Sequence, residues 1–262
     1  MTTPPESSEH PFAHLPFHIQ RRLGLLEHHS AARLHELAHE HIPAWLRPTK
    51  AQNRLPVTAA VLAAIGLQFA LPADLSLHPR WLLPGLELLL LIALSAANPV
   101  VLSREAKALR VGSIALVGVI TVANAVSAGL LASKLVTGHA GHAGQDAAAL
   151  LLSGASIYLT NVIAFGLWFW EYDRGGPFSR QQARRLHPDF LFPQMAAPDI
   201  GPPDWEPLFV DYLYVSFTNA TAFSPTDTMP MSRWAKALMA VQSTVSLVTV
   251  ALVIARAVNI FK

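Results

Sequence analysis

Long apolar segments separated by short polar ones make up most of the chain after residue 54. The hydrocarbon core of a bilayer is about 30 Å thick, and a helix needs roughly 20 apolar residues to cross it. The segments that approach or reach this length are 55–71, 81–102, 111–136, 147–170 and 234–259. This pattern predicts an all-α polytopic membrane protein with about five transmembrane helices.

The polar segments divide the chain into four parts. Residues 1–54 form a polar, histidine-rich tail, and residues 55–172 hold four of the predicted transmembrane helices. Residues 173–206 are rich in Pro, Gly and Arg and too polar to cross a membrane. We interpret them as a linker, longer than loops usually are without a function. Residues 207–262 contain a moderately apolar stretch, a polar stretch and the last predicted span.

Composition supports the membrane prediction and excludes several functions. Hydrophobic residues make up 52% of the chain, and the mean hydropathy is +0.35. The chain has no cysteine, which excludes disulfides, iron–sulfur clusters and thiol catalysis. A net charge of +2 is too small to indicate nucleic acid as a partner. No phosphate-binding glycine loop or catalytic triad is present, so we expect neither an enzyme nor a bound cofactor.

The distribution of cations predicts an orientation. Fifteen of the 19 Lys and Arg residues lie in the tail, in the 103–110 link, in the linker or at the start of the last span. Loops rich in Lys and Arg stay on the cytoplasmic side of a membrane. We therefore expect the tail, the link and the linker to be cytoplasmic.

Residues 211–230 read DYLYVSFTNATAFSPTDTMP. This segment resembles the pore loop of tetrameric potassium channels, in which a short pore helix leads into a Thr-rich run, a Gly-Tyr-Gly filter, an Asp and a Pro. The helix that follows resembles the pore-lining inner helix of those channels. The residues that match the pore-loop pattern without a gap are Tyr214, Ser216, Phe217, Thr218, Thr221, Asp227 and Pro230.

The resemblance implies a re-entrant, pore-helix-like segment, a homotetramer around one axis and inorganic ions as the conducted species. It assigns a filter to Thr221, Ala222, Phe223, Ser224, Pro225, Thr226 and Asp227. The chain also resembles a large bacterial family of multi-pass membrane proteins that end in the same type of segment. That second resemblance implies the bacterial inner (plasma) membrane and no particular activity.

The filter departs from the potassium-channel pattern. Ser224, Pro225 and Thr226 replace the Gly-Tyr-Gly triplet, and Phe223 replaces the filter valine. A filter lined by carbonyl groups needs glycine, because its backbone visits left-handed conformations that only glycine adopts cheaply. We therefore expect a channel without potassium selectivity. In four copies, the carboxylate of Asp227 would form an acidic ring that favours cations.

Two sets of polar residues within the spans have two interpretations each. Gln242, Ser246 and Thr249 follow each other at helical i, i+4, i+7 spacing, which suits either pore lining or packing between helices. Glu87 is the clearest intramembrane carboxylate of the sequence. It marks a proton or ion path, or it is a protonated or hydrogen-bonded group near the lipid headgroups.

The pore-loop resemblance conflicts with the orientation predicted from charge. In related cation channels the loop enters from outside, whereas the cations on both sides of this segment predict a cytoplasmic location. An inverted pore loop resolves the conflict. So does a sixth span over residues 207–223, or a failure of the charge rule for this chain.

A zinc-hydrolase pattern in the tail gives a further alternative. His35, Glu36 and His39 spell HELAH, in which two histidines four positions apart bind zinc and the glutamate acts as a base. Eight of the 12 histidines lie in the tail, so such a string arises easily, and we predict no metal site. We expect an ion channel first, a non-conducting scaffold, transporter or sensor second, and a membrane zinc peptidase third.

Overall fold

The computed structural model describes residues 44–48, 52–97, 107–137, 147–222 and 227–260. The first four helices follow the predicted apolar segments: α1 (Leu55–Ala70), α2 (Leu82–Ala97), α3 (Lys107–Thr137) and α4 (Ala147–Tyr172). Shorter elements come next, and a long helix ends the described chain: α5 (Pro177–Gln181), β1 (Phe190–Leu191), α6 (Pro193–Ala196), α7 (Phe209–Ala222), β2 (Met229–Pro230) and α8 (Arg233–Ile260).

Three helices of the described chain are long and apolar enough to cross a membrane. These segments are Ala108–Thr137, Ala148–Gly175 and Arg233–Asn259, which belong to α3, α4 and α8. Helices α1 and α2 are also apolar, but each has only 16 residues. At a rise of 1.5 Å per residue they are roughly 24 Å long, shorter than the hydrocarbon core. The prediction of an all-α protein is confirmed, and the three long helices fit an integral membrane protein.

Helix α4 lies at the centre of the bundle and contacts α1, α3, α7 and α8. Its buried residues belong to two apolar clusters, one in each half of the helix. Phe165 and Phe169 lie in the larger cluster, whereas Leu150 and Ile157 lie in the smaller one. Helix α4 therefore provides the surface on which α1, α3, α7 and α8 pack, whereas α2 packs against α1 and α3.

The outer surface of the bundle is apolar as well. Large hydrophobic side chains are exposed on several helices, including Leu89 on α2, Val122 on α3 and Ile254 on α8. Soluble proteins rarely expose so much contiguous apolar surface, whereas a lipid-facing surface is expected to be apolar. Packing between such helices then depends on close contact and on polar groups.

The segment predicted as a linker packs against one end of the bundle. It contains a 3₁₀ turn (Asp173–Gly175), α5, β1 and α6, and β1 pairs antiparallel with β2. We call residues 173–206 together with β2 the cap. Its aromatic rings form a continuous cluster with those of α4, α7 and α8: Phe169, Phe190, Phe192, Trp205, Tyr212 and Trp234.

The fit between α4 and α8 predicts different effects for two glycines. A Cβ atom added at Gly154 would lie 2.7 Å from Cγ2 of Val253 on α8, whereas one added at Gly118 on α3 would meet nothing within 4 Å. We expect Gly154→Ala to lower the free energy of unfolding by about 1–3 kcal/mol through overpacking. The matched change Gly118→Ala should be neutral or stabilise by about 0.5–1 kcal/mol. Thermal unfolding in detergent measures both, and equal stability of the two variants would contradict the described contact.

Candidate functional site

Helices α7 and α8 begin at the same end of the bundle. Tyr212, near the start of α7, donates its hydroxyl proton to Oδ2 of Asp173, 2.5 Å away. Trp234, at the start of α8, donates its Nε1 proton to Oδ1 of Asp189, 2.9 Å away. The ring of Phe190 lies 6.3 Å from that of Tyr212 and 5.7 Å from that of Trp234. Both helices therefore run in the same direction, away from the cap.

The far end of α7 lies deep in the bundle. The hydroxyl of Thr221 is 2.9 Å from the hydroxyl of Tyr158 on α4. Along the axis of α4, Tyr158 is about 21 Å from Tyr172, where α4 meets the cap. The next strand of the chain, β2, pairs with β1 in the cap, with Met229 opposite Leu191. Between Thr221 and Met229 the chain therefore returns to the end from which α7 started.

The predicted filter lies on this return and is described only at its two ends. Thr221 is exposed, and its hydroxyl also donates to the carbonyl of Phe217, 2.7 Å away. Asp227 is exposed beside β2. The other predicted filter residues lie outside the described part of the chain, and so does the side chain of Ala222: Phe223, Ser224, Pro225 and Thr226. The filter therefore stays a prediction.

A cluster of buried polar side chains joins α7 to α8. The Nε2 group of Gln242 donates to Oγ of Ser216 at 2.6 Å and to its carbonyl oxygen at 2.9 Å. The Oε1 atom of Gln242 accepts a hydrogen bond of 2.8 Å from Nδ2 of Asn219. The same Nδ2 group donates to the carbonyl of Met239 at 3.0 Å. Every polar atom of the Gln242 side chain thus has a partner on α7.

The cluster continues onto α4. Asn161 donates from Nδ2 to Oγ of Ser246 at 3.0 Å and to the carbonyl of Gln242 at 3.4 Å. Ser216 donates its hydroxyl proton to the carbonyl of Val162 at 2.6 Å. Hydrogen bonds between buried polar groups therefore hold the relative rotation of α4, α7 and α8.

These contacts bear on the predicted pore-lining stripe. The side chains of Gln242, Ser246 and Thr249 are 0%, 1% and 7% exposed within a single chain. A side chain that lines a pore between subunits would be open on the surface of one chain. The contacts favour packing over pore lining for this stripe, and a lining role for these side chains stays a prediction.

Glu87, predicted as an intramembrane acid, is fully buried and has one polar partner among the described residues. Nε2 of Gln68 on α1 lies 2.9 Å from Oε1 of Glu87 and 3.0 Å from Oε2. Glu87 is 0% exposed and Gln68 is 7% exposed. This pair connects α1 to α2 in the half of the bundle opposite the cap.

Buried charges stabilise the cap itself. Besides the bond from Tyr212, Asp173 accepts a hydrogen bond of 2.8 Å from the backbone N–H of Asp189. Arg180 donates from Nη1 to the carbonyls of Trp170 at 2.6 Å and Asp173 at 2.9 Å. Its guanidinium carbon also lies 4.9 Å from the centre of the Tyr212 ring, within the range of a cation–π contact. Hydrogen bonds of two buried charged residues, Asp173 and Arg180, together with one cation–π contact therefore link the end of α4, the cap and the start of α7.

Arg174 fixes the turn that leads out of α4. Its Nη1 group donates to the carbonyl of Trp45 at 2.6 Å, and its Nε group donates to the carbonyl of Arg185 at 2.9 Å. The φ angles of Arg174, Gly175 and Gly176 are +52°, +83° and +97°. Three successive left-handed residues turn the chain sharply, and glycine carries two of the three positions at little cost.

Several cationic side chains at this end of the bundle lie near Glu171, at the end of α4. It accepts a hydrogen bond from the hydroxyl of Ser113 on α3. Arg180, Arg110 and Arg54 all lie close enough to stabilise its charge. The sequence segments that carry these arginines were predicted to share one side of the membrane, and in the structure they meet at the cap.

Sequence reasoning missed the buried charges of the cap. The one feature of the sequence that could have indicated a folded cap is the length of the polar segment 173–206, which exceeds that of an ordinary loop. Asp173 and Tyr212 are 39 positions apart, and no local pattern connects them.

Among the described residues, no group of three or more His, Asp or Glu side chains is placed to hold a metal ion. The histidines and the glutamate of the HELAH string, His35, Glu36 and His39, lie outside the described residues. The zinc-peptidase alternative therefore rests on sequence alone.

Comparison with protein-family models, with curated proteins and with solved structures finds no match to this chain. Fold and site together define a class, that of helical membrane proteins with a buried polar cluster in the bundle.

The polar cluster predicts that Gln242 acts through packing. Gln242→Met keeps the size of the side chain but leaves the polar groups of Ser216 and Asn219 with fewer partners. We expect a loss of about 1–2 kcal/mol in the free energy of unfolding. Thr244→Val is the matched control, because Thr244 is exposed on the same helix and, among the described residues, its hydroxyl bonds only the carbonyl of Ala240. Unfolding in detergent compares the two, and equal stability would speak for a pore-lining Gln242.

Proposed function

We propose that this protein is a pore-loop ion channel of the bacterial inner membrane, with a filter that does not select potassium. One observation carries the proposal: α7 and α8 start from the same end of the bundle, and the chain between them returns to that end. A short helix, a return segment and a long helix in this order are the parts of a pore loop and its inner helix.

The length of α7 supports a re-entrant segment over a sixth span. The helix has 14 residues, or roughly 21 Å, which is too short for a hydrocarbon core of about 30 Å. The pairing of β2 with β1 supports the same choice. If α7 crossed the membrane, β2 would lie at the end of the bundle opposite to β1. Irregular backbone is tolerated at membrane depth only where protein or water surrounds it. Four copies around one axis would supply those surroundings.

The charges near the start of α7 support a loop that enters from the cytoplasm. Arg180 lies over Tyr212 of α7, and Arg54 and Arg110 lie near Glu171 at the same end. By the positive-inside rule this end is cytoplasmic. Of the three ways to resolve the charge conflict, we therefore favour the inverted pore loop.

The chemistry of the filter follows from its residue types. Thr221, Ser224 and Thr226 offer hydroxyl groups, and Asp227 offers one carboxylate per chain. Four such carboxylates around an axis attract cations and repel anions. Without glycines the backbone cannot present the alternating carbonyl cage that selects potassium. The expected current is therefore cationic and weakly selective.

A second candidate is a non-conducting scaffold, transporter or sensor on the same helical framework. The observation that favours it is the burial of Gln242 and Ser246 within one chain, where they bond α7 and α4. If these contacts persist in the assembly, the inner face of α8 offers few polar groups to an ion, and Pro225 would block the former filter.

The re-entrant geometry predicts which positions share a side of the membrane. The chain has no native cysteine, so each introduced cysteine is the one thiol present. Asp204→Cys and Met231→Cys flank α7 at exposed positions, and His78→Cys is an exposed control between α1 and α2. In oriented vesicles, an impermeant thiol reagent should label positions 204 and 231 from one side and position 78 from the other. Labelling of 204 and 231 from opposite sides would mean that α7 crosses the membrane.

Conduction is predicted to depend on the acid beside the filter. Asp227→Asn removes the ring of charge, and we expect the cation-to-anion preference of the current to fall by about tenfold. Asp204→Asn, an exposed acid of the cap, is the control and should leave the current unchanged. Flux into liposomes and planar-bilayer recordings measure both variants. Absence of flux at every pH and voltage, together with the mass of a monomer or dimer, would overturn the channel.

A further inference from the structure

The partner of Glu87 suits both protonation states of a carboxyl group. As placed, the Gln68 amide donates from Nε2 to both carboxylate oxygens. A half turn of the amide about its last bond brings the carbonyl oxygen to the same place, where it can accept the proton of a neutral acid. An arginine or lysine partner would fix the carboxylate in its charged form, whereas an amide pairs with either form.

No charged side chain of the described residues forms an ion pair with Glu87. The packed faces of α1 and α3 are free of charge between Leu55 and Ala70 and between Val111 and Ser133. The charged and titratable groups nearest along the chain belong to the α1–α2 loop and to the end of α3: Asp74, His78, Arg80 and Lys134. Two of these pair with each other, because Nζ of Lys134 lies 2.7 Å from Oδ2 of Asp74.

A small cavity separates this loop from Gln68. Its volume is about 20 Å³, which is room for one water molecule. Four polar residues line it: Gln68, Ser76, Arg80 and Ser127. A buried water needs two to four polar partners, and this cavity supplies them. Within the described part of the chain, Oε1 of Gln68 and Oγ of Ser127 form no hydrogen bond with the protein, so both are free to bond that water.

The cavity and Glu87 lie on one continuous line into the bundle. Leu83 and Pro84 line the cavity, and they precede Glu87 by four and three positions on the same face of α2. Glu87 is therefore one helical turn deeper than the cavity, with Gln68 between them. The route from the aqueous surface passes the loop, then the water site, then the amide and finally the carboxyl group.

We propose that Glu87 and Gln68 form a proton-binding site that exchanges with the membrane face opposite the cap, through the cavity of Ser76, Arg80 and Ser127. A proton that arrives from the aqueous face through the water of the cavity passes to one carboxylate oxygen of Glu87 as the Gln68 amide turns, the water is left neutral, and the amide carbonyl then accepts from the new O–H group. Release is the reverse. The site does not depend on the proposed pore.

The first test asks whether water reaches the cavity from the stated side. In vesicles of the full chain, Ser127→Cys should react with silver ions, a membrane-impermeant thiol probe no larger than a water molecule, added on the face that carries His78. Leu131→Cys is the matched control, since Leu131 is one turn nearer to the end of α3 and equally buried but does not line the cavity. We expect the thiol at 127 to react at least about tenfold faster than the one at 131, because reaction requires access for the reagent. Equal rates, or faster reaction from the cap side, would overturn the proposed route.

The second test observes the proton itself. Infrared difference spectra between acid and alkaline pH should contain the band of a buried protonated carboxyl group, and Glu87→Gln should remove it. Asp211→Asn is the control and should retain the band. Gln68→Met should shift the midpoint of the titration by about one pH unit, because the carboxylate loses its donor. A wild-type spectrum without a titrating carboxyl band, or a spectrum that Glu87→Gln leaves unchanged, would overturn the site. If Glu87→Gln does not fold, an unshifted midpoint in Gln68→Met would overturn it.

Discussion

A polar group at membrane depth has no water to bond, and this constraint organises the whole bundle. Where a buried polar side chain finds its partner on a neighbouring helix, the pair also fixes how the two helices face each other. The bonds of Gln242 set α8 against α7, those of Asn161 set α8 against α4, and the bond from Gln68 sets α1 against α2. Apolar packing alone would permit several rotations of these helices with similar contact.

At the end of α4, burial of charge has the same effect on a larger scale. Asp173 accepts hydrogen bonds from Tyr212 of α7 and from the backbone N–H of Asp189. The carboxylate of Asp189 in turn accepts a hydrogen bond from Trp234 of α8. Removing one member of such a network leaves a buried charge without a partner, which costs several kcal/mol. The cap is therefore more than a connection between spans. It determines that two consecutive helices start side by side and run in the same direction.

Hydropathy was sufficient to predict the long helices, because each apolar block forms its own backbone hydrogen bonds. Predicted spans 111–136, 147–170 and 234–259 correspond to Lys107–Thr137, Ala147–Tyr172 and Arg233–Ile260. The fold of 173–206 could not be predicted in this way, since it depends on pairs such as Asp173 with Tyr212 that are distant in sequence. The spacing of Gln242, Ser246 and Thr249 correctly indicated one helix face. Periodicity does not indicate which neighbouring helix that face contacts, because this depends on how the whole bundle packs.

As predicted spans, the two short helices would have a consequence for the membrane around them. Helices α1 and α2 are each roughly 6 Å shorter than the hydrocarbon core of an average bilayer. A bilayer adapts to short spans by thinning locally or by drawing headgroups inward, at a modest energy per ångström of mismatch. Glu87 lies in this part of the protein, so lipid thickness sets how far its carboxyl group is from water. The length of the lipid acyl chains would therefore affect the protonation of one buried acid, Glu87.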